Sequence, residues 1–160
     1  MGAYIILAVF LIVIIMVTYA QIRQKNEYLR EGWIIRRQAY FWEDTETLYC
    51  KSSYRDMLAE LKNTDFPYCG VTITTNVGGK ATVLFEIPSW KAELNYYGET
   101  DGEHEYEFQF TSWKKENYVV QDSMKMNLLQ TAVEKMFLRL DPDTEAKIHR
   151  NKIQSKTSFI

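Results

Sequence analysis

Cysteine, histidine and proline are scarce in this chain: two, two and three of 160 residues. Two thiols cannot build a disulfide framework or an all-thiolate zinc site. Three prolines and seven glycines exclude a collagenous or low-complexity chain. A dominant charge sign is also missing. Nineteen Lys and Arg against 21 Asp and Glu give a formal net charge of −2. That balance excludes a nucleic-acid binder driven by bulk positive charge. Motifs of catalysis are lacking as well. Gly78-Gly79 has no downstream Gly-Lys-Ser/Thr and marks a turn, not a phosphate loop. Cys50 and Cys69 form no CxxC pair, and no Gly-x-Ser-x-Gly elbow occurs. His104 sits among acids and His149 on a basic stretch, without the convergent donors that metal ligation needs. The acidic run Glu99, Asp101, Glu103, Glu105 and Glu107 lacks EF-hand spacing and reads as a solvated strand face. No catalytic residue, metal or cofactor is therefore expected.

What is present is one long apolar opening. Ala3 to Ala20 reads AYIILAVFLIVIIMVTYA, with no charged residue. With Met1 and Gly2 it supplies about 20 residues, or roughly 30 Å of helix, which matches a bilayer core. Thr18-Tyr19-Ala20 offers a weak cleavage site, but the run exceeds a usual signal-peptide core and lacks a basic n-region. A retained single-pass anchor, residues 1–22, is expected. Ile6 occupies the Ser/Thr position of a myristoylation signal, which disfavours that modification. Arg23, Lys25, Arg30, Arg36 and Arg37 follow the span and nothing basic precedes it. The positive-inside rule then puts the short N-terminus outside and the remainder in the cytoplasm, where both thiols stay reduced.

Residues 23–50 form a juxtamembrane segment. Its first part, to residue 31, continues the helix, with Gly32 as a stop signal. Residues 33–50, which open with WIIRRQAYFW, could be helix or strand. Trp33 beside Arg36 and Arg37, with Arg23, Lys25 and Arg30 before them, has the chemistry of a membrane interface.

Residues 51–160 read as a soluble two-layer α+β domain. Ser53-x-x-Asp56 resembles a capping box, followed by an amphipathic face of Tyr54, Met57, Leu58 and Leu61. Residues 70–113 read as a four-stranded antiparallel meander: GVTITT, ATVLFEI, WKAELNYY and EYEFQFTSW. Three-residue loops at 77–79 and 100–102, with a tight corner at Pro88-Ser89, predict a register. Ile73 faces Val83, Phe85 faces Ala92, Leu94 faces Phe108 and Tyr96 faces Tyr106. A long helix from Ser123 to the Asp141-Pro142 break presents Met126, Leu129, Val133, Met136, Phe137 and Leu140 to the sheet. A short basic helix from Asp143 or Thr144, fraying near Lys156, closes the chain.

Function is less legible. The anchor and the thin chemical inventory point to a non-catalytic interaction or scaffolding module, with a protein partner or a second copy. Tyr97 and Trp113 fall on the polar sheet face and are candidate partner contacts. A ligand- or lipid-binding pocket between sheet and helix is the alternative, lined by Phe85, Tyr96, Tyr106, Phe108, Phe110, Met126 and Met136. The layout of an apolar helix leading into a four-stranded antiparallel meander also resembles type IV pilins and pseudopilins. That resemblance implies an extracytoplasmic subunit. The chain departs from the pilin pattern, since AYIILAVF after Gly2 lacks the expected Glu and no basic leader precedes it.

Overall fold

A computed structural model describes residues 2–150, with side chains from residue 6 onward. The tail expected to fray near Lys156 lies outside the described residues. The chain forms two compact units, residues 1–36 and 37–160.

The first unit is one continuous helix, α1 (Gly2–Arg30), and a short connection. The stretch Ile6–Arg30 is long and apolar enough to cross a membrane; its apolar part is not covered by protein, whereas Tyr28 near its end is buried. Apolar side chains from Ile6 to Ile22 are solvent-facing. The helix ends as Gly32 predicts. Gly32 adopts φ 73°. Its N–H donates to Leu29 O (3.2 Å), and the Trp33 N–H donates to Tyr28 O (2.9 Å). This pair of bonds is a Schellman closure, for which glycine has the least steric cost.

The second unit is a sheet with two helices on one face. In chain order it comprises β1 (Asp44–Cys50), α2 (Tyr54–Asn63), β2 (Thr72–Thr75), β3 (Thr82–Ile87), β4 (Trp90–Thr100) and β5 (Glu103–Trp113). The small hairpin β6 (Lys115–Glu116) and β7 (Val119–Val120), α3 (Ser123–Leu140) and β8 (Glu145–Arg150) complete it. The sheet has six antiparallel strands in the order β2-β3-β4-β5-β1-β8, where the sequence predicts four. The expected meander is its β2–β5 portion. The additions are β1, from a stretch whose local pattern is undecided, and β8, where a basic helix is expected. All six β8 residues are exposed. The strand exists through its backbone ladder to β1, which satisfies polar groups that an open edge would leave to water.

The predicted β3–β4 and β4–β5 pairings hold: Phe85 opposes Ala92, Leu94 opposes Phe108, and Tyr96 opposes Tyr106. Two details differ. Ile73 pairs with Phe85 rather than Val83, because the β2–β3 link includes a 3₁₀ turn and runs from Asn76 to Ala81. The two-residue shift keeps the alternation in phase, although all four β2 residues are exposed. The β4–β5 turn is the two residues Asp101-Gly102, both at positive φ, rather than three. A bulge at Tyr97 restores the predicted alignment beyond it. The Pro88-Ser89 corner joins Ile87 to Trp90 without a positive φ at either residue.

The Ser53 cap is present: its Oγ accepts from the Asp56 N–H (3.3 Å) and donates to the Asp56 carboxylate (2.6 Å). Met57 and Leu61 of α2 and Met126, Leu129, Val133, Met136 and Phe137 of α3 are buried. They cover Val83, Phe85, Ala92, Leu94, Tyr106 and Phe108, each 1% exposed or less. The Phe137 and Tyr106 ring centroids lie 4.9 Å apart. Phe137→Ala should therefore destabilise the domain by about 3–5 kcal/mol. Leu138→Ala, at a half-exposed position of the same helix, should cost under about 0.5 kcal/mol. Urea unfolding of the two variants followed by far-UV circular dichroism checks the contrast.

Candidate functional site

The most unusual chemistry in the second unit is inside it. β1 alternates Glu46, Leu48 and Cys50 towards the helices, so Glu46 enters the layer that Leu48 and Phe108 fill with hydrocarbon. It is 3% exposed. On α3, Asn127, Thr131 and Glu134 recur at helical spacing beside the apolar face, with the buried Gln130 among them. Arg37 completes the group. Its Nη1 and Nη2 donate to the two oxygens of Glu134 (2.9 and 2.8 Å), a bidentate fork. Its Nε donates to Asn127 Oδ1 (3.1 Å), and Nη2 also donates to Thr131 Oγ1 (3.2 Å). The Phe41 ring lies 5.7 Å from the guanidinium carbon.

One cation thus serves two neighbouring carboxyls. Glu134 takes the guanidinium, and Glu46 receives the Gln130 Nε2–H (2.9 Å). Burial, and then the adjacent Glu134 carboxylate, push the Glu46 carboxyl up to about 7. The Gln130 bond and Arg37 act in the opposite direction but do not cancel this. Gln130 Oε1 has no hydrogen-bond partner. The cluster can therefore hold or release one proton near neutrality.

The thiols are elsewhere and inert. Cys50 and Cys69 are both buried and free, and burial pushes the Cys69 thiol up to about 11. Among the described residues, no group of three or more His, Cys, Asp or Glu gathers as a metal site.

The residues expected at a membrane interface divide. Arg23, Lys25 and Arg30 are exposed on α1, and Trp33 and Arg36 are exposed in the connection after it. Arg37 is different: its side chain is 6% exposed and committed to Glu134. A buried bidentate carboxylate replaces the lipid phosphate expected for it. Tyr97 and Trp113 do not form one patch. Tyr97 is the bulged residue at the Asp101-Gly102 end of β4, 63% exposed, with its hydroxyl donating to Glu107 Oε1 (3.2 Å). Trp113 is half-buried at the other end, opposite Trp90. The strand length between them is roughly 25 Å.

The side chains expected to line a ligand pocket instead pack on one another. Phe108 meets Phe85 and Phe110 edge to face, with centroids 6.3 and 5.3 Å apart, and Tyr96 meets Tyr106 at 5.1 Å. Comparison with protein-family models, curated proteins and solved structures returns no match.

The sequence carried a faint sign of the buried cluster. A lone Glu alternates with Leu and Cys in residues 46–50, and a polar stripe accompanies an apolar helix face. Nothing local says that the two elements meet.

Because folded Glu46 holds its proton more tightly than the unfolded carboxyl, the folded state binds more protons between about pH 4.5 and 7. Stability should fall as pH rises through that window and level off above it. Glu46→Gln should flatten this dependence and raise stability above neutrality, by on the order of 2 kcal/mol. Arg37→Ala, which strands the half-buried Glu134 carboxylate beside buried Glu46, should cost about 3 kcal/mol or more. Denaturant midpoints across the pH range test both.

Proposed function

We propose that this chain is a single-pass membrane protein whose α+β domain works by contact with other molecules at the cytoplasmic membrane face, without catalysis. The observation that carries the reading is α1. Its apolar stretch from Ile6 to Ile22 has no side chain covered by protein. Leaving so much hydrocarbon in water costs roughly 25 cal/mol per Å², and a bilayer removes that cost. The basic residues Arg23, Lys25, Arg30 and Arg36 after the span favour retention of that side in the cytoplasm. The exposed Tyr97 and half-buried Trp113 supply separate candidate surfaces for a protein partner or a second copy.

Two measurements on the expressed full chain test this. The protein should stay in the membrane pellet through carbonate extraction. A C-terminal tag should resist protease in intact cells and be lost after lysis. Release by carbonate, or a mature chain beginning after Ala20, would remove the anchor. Digestion of the tag in intact cells would reverse the orientation.

A further inference from the structure

The β6–β7 hairpin is a finger without an internal purpose. Its turn residues, Asn117 and Tyr118, have φ of 49° and 66°. Two successive positive φ values make a type I′ turn, in which Asn-Gly is the relaxed pair. Tyrosine in the left-handed region is strained. The strain is not offset by packing, because Tyr118 is 99% exposed and Val119 is 68% exposed. The base is firm: the Gln121 N–H donates to Lys114 O (3.0 Å), and the Lys114 N–H donates to Ser89 O (2.8 Å). A rigid base presenting a strained, fully exposed aromatic suggests that the tip meets something outside the domain.

Charge and position narrow what that is. Lys114 and Lys115 flank the tip and are exposed. Lys125 shares a hollow with Lys114 beside the Pro88-Ser89 corner, where it pairs with Asp122 (3.1 Å); with Glu116 before the tip, three lysines stand against two carboxylates at this end. The opposite end of the sheet instead carries Glu99, Asp101 and Glu103 around its turn. The finger also lies at the end where the chain enters the domain. Arg37 is bound to Asn127 near the start of α3, and Phe41 packs edge-on against Phe110, three residues before β5 ends at Trp113. Only residues 31–36 separate that entry point from α1. Six residues reach at most about 20 Å, and residues 23–30 of α1, beyond the expected span, add about 12 Å. An aromatic and an aliphatic tip, flanked by lysines and tethered this close to a bilayer, has the composition of an interfacial anchor.

We propose that the β6–β7 hairpin is a membrane-contact finger: Tyr118 and Val119 enter the headgroup region, and Lys114 and Lys115 meet anionic headgroups. This rests on the reading that α1 is inserted. The finger holds the entry end of the domain against the bilayer and turns the acidic Asp101-Gly102 end towards the solution.

The test uses the full chain reconstituted into vesicles of phosphatidylcholine, with and without phosphatidylglycerol. A polarity-sensitive fluorophore is placed at Glu116→Cys beside the tip or at Glu103→Cys at the far end. The native thiols are buried and do not compete. Headgroup-level nitroxide lipids should quench the label at 116 several-fold more than at 103, and more strongly with phosphatidylglycerol. Tyr118→Gly should keep or raise the melting temperature, since it relieves strain, yet lose most of that quenching. Lys114→Glu with Lys115→Glu should abolish the phosphatidylglycerol dependence. Equal quenching at 116 and 103 in a carbonate-resistant chain would overturn the finger while leaving the anchor intact. Crosslinking of the tip to a protein with no lipid quenching would overturn it as well. Failure of the chain to float with vesicles would instead overturn the anchoring on which it rests.

Discussion

The domain depends on the place of β1 between β5 and β8. A strand in that position must satisfy backbone groups along both edges, and it does so with two antiparallel ladders. The consequences reach across the fold. The first strand of the domain is set beside its fifth and its last, so the chain leaving α1 leads into an interior strand one place from the sheet edge. The same strand carries Glu46 into the layer beneath α3 and so creates the buried polar cluster. Neither effect is local, since every partner of β1 is at least 50 residues away in sequence.

The cluster has a double character. Hydrocarbon from Leu48, Phe108 and Phe137 surrounds it, which penalises any charge that is not matched. Arg37 matches Glu134 with a bidentate fork, while Glu46 accepts from the Gln130 amide and shares a hydrogen bond with Glu134. A well-packed apolar group at position 46 would serve stability at least as well. A titratable core group therefore couples packing to proton concentration, through the first strand that follows α1. The outer surface is divided in a different way. Its hairpin end is aromatic and lysine-bearing, and its Asp101-Gly102 end is acidic.

The elements that were legible in the sequence are those whose signal is periodic and local. Alternation across β3, β4 and β5 identified the core face. The spacing of Met126, Leu129, Val133, Met136 and Phe137 identified the long helix, and Ser53 and Gly32 marked helix ends. The β4–β5 alignment came out right although the loop length did not. A two-residue turn followed by the Tyr97 bulge and a three-residue loop place Leu94 and Tyr96 identically. Strand β8 was not legible because Glu145–Arg150 has no buried face, and its order comes from a neighbour's backbone. Arg37 was misread because a basic residue near a span has the same local appearance whether it meets lipid phosphate or a carboxylate folded over from α3.

An apolar helix long enough to span a bilayer, the two-layer α+β class and most core residues are readable from the order of residues alone. Each follows from side-chain polarity repeating at the period of the backbone, which needs no knowledge of distant segments. The six-stranded sheet, and the one site shared by Arg37, Glu46, Gln130 and Glu134, emerge from the folded arrangement. That arrangement also places the Tyr118 hairpin at the end where the chain enters. Those are pairings between segments far apart in the chain. They are selected by which edges need hydrogen bonds and which charges need partners once the core has formed, and no single segment encodes that choice.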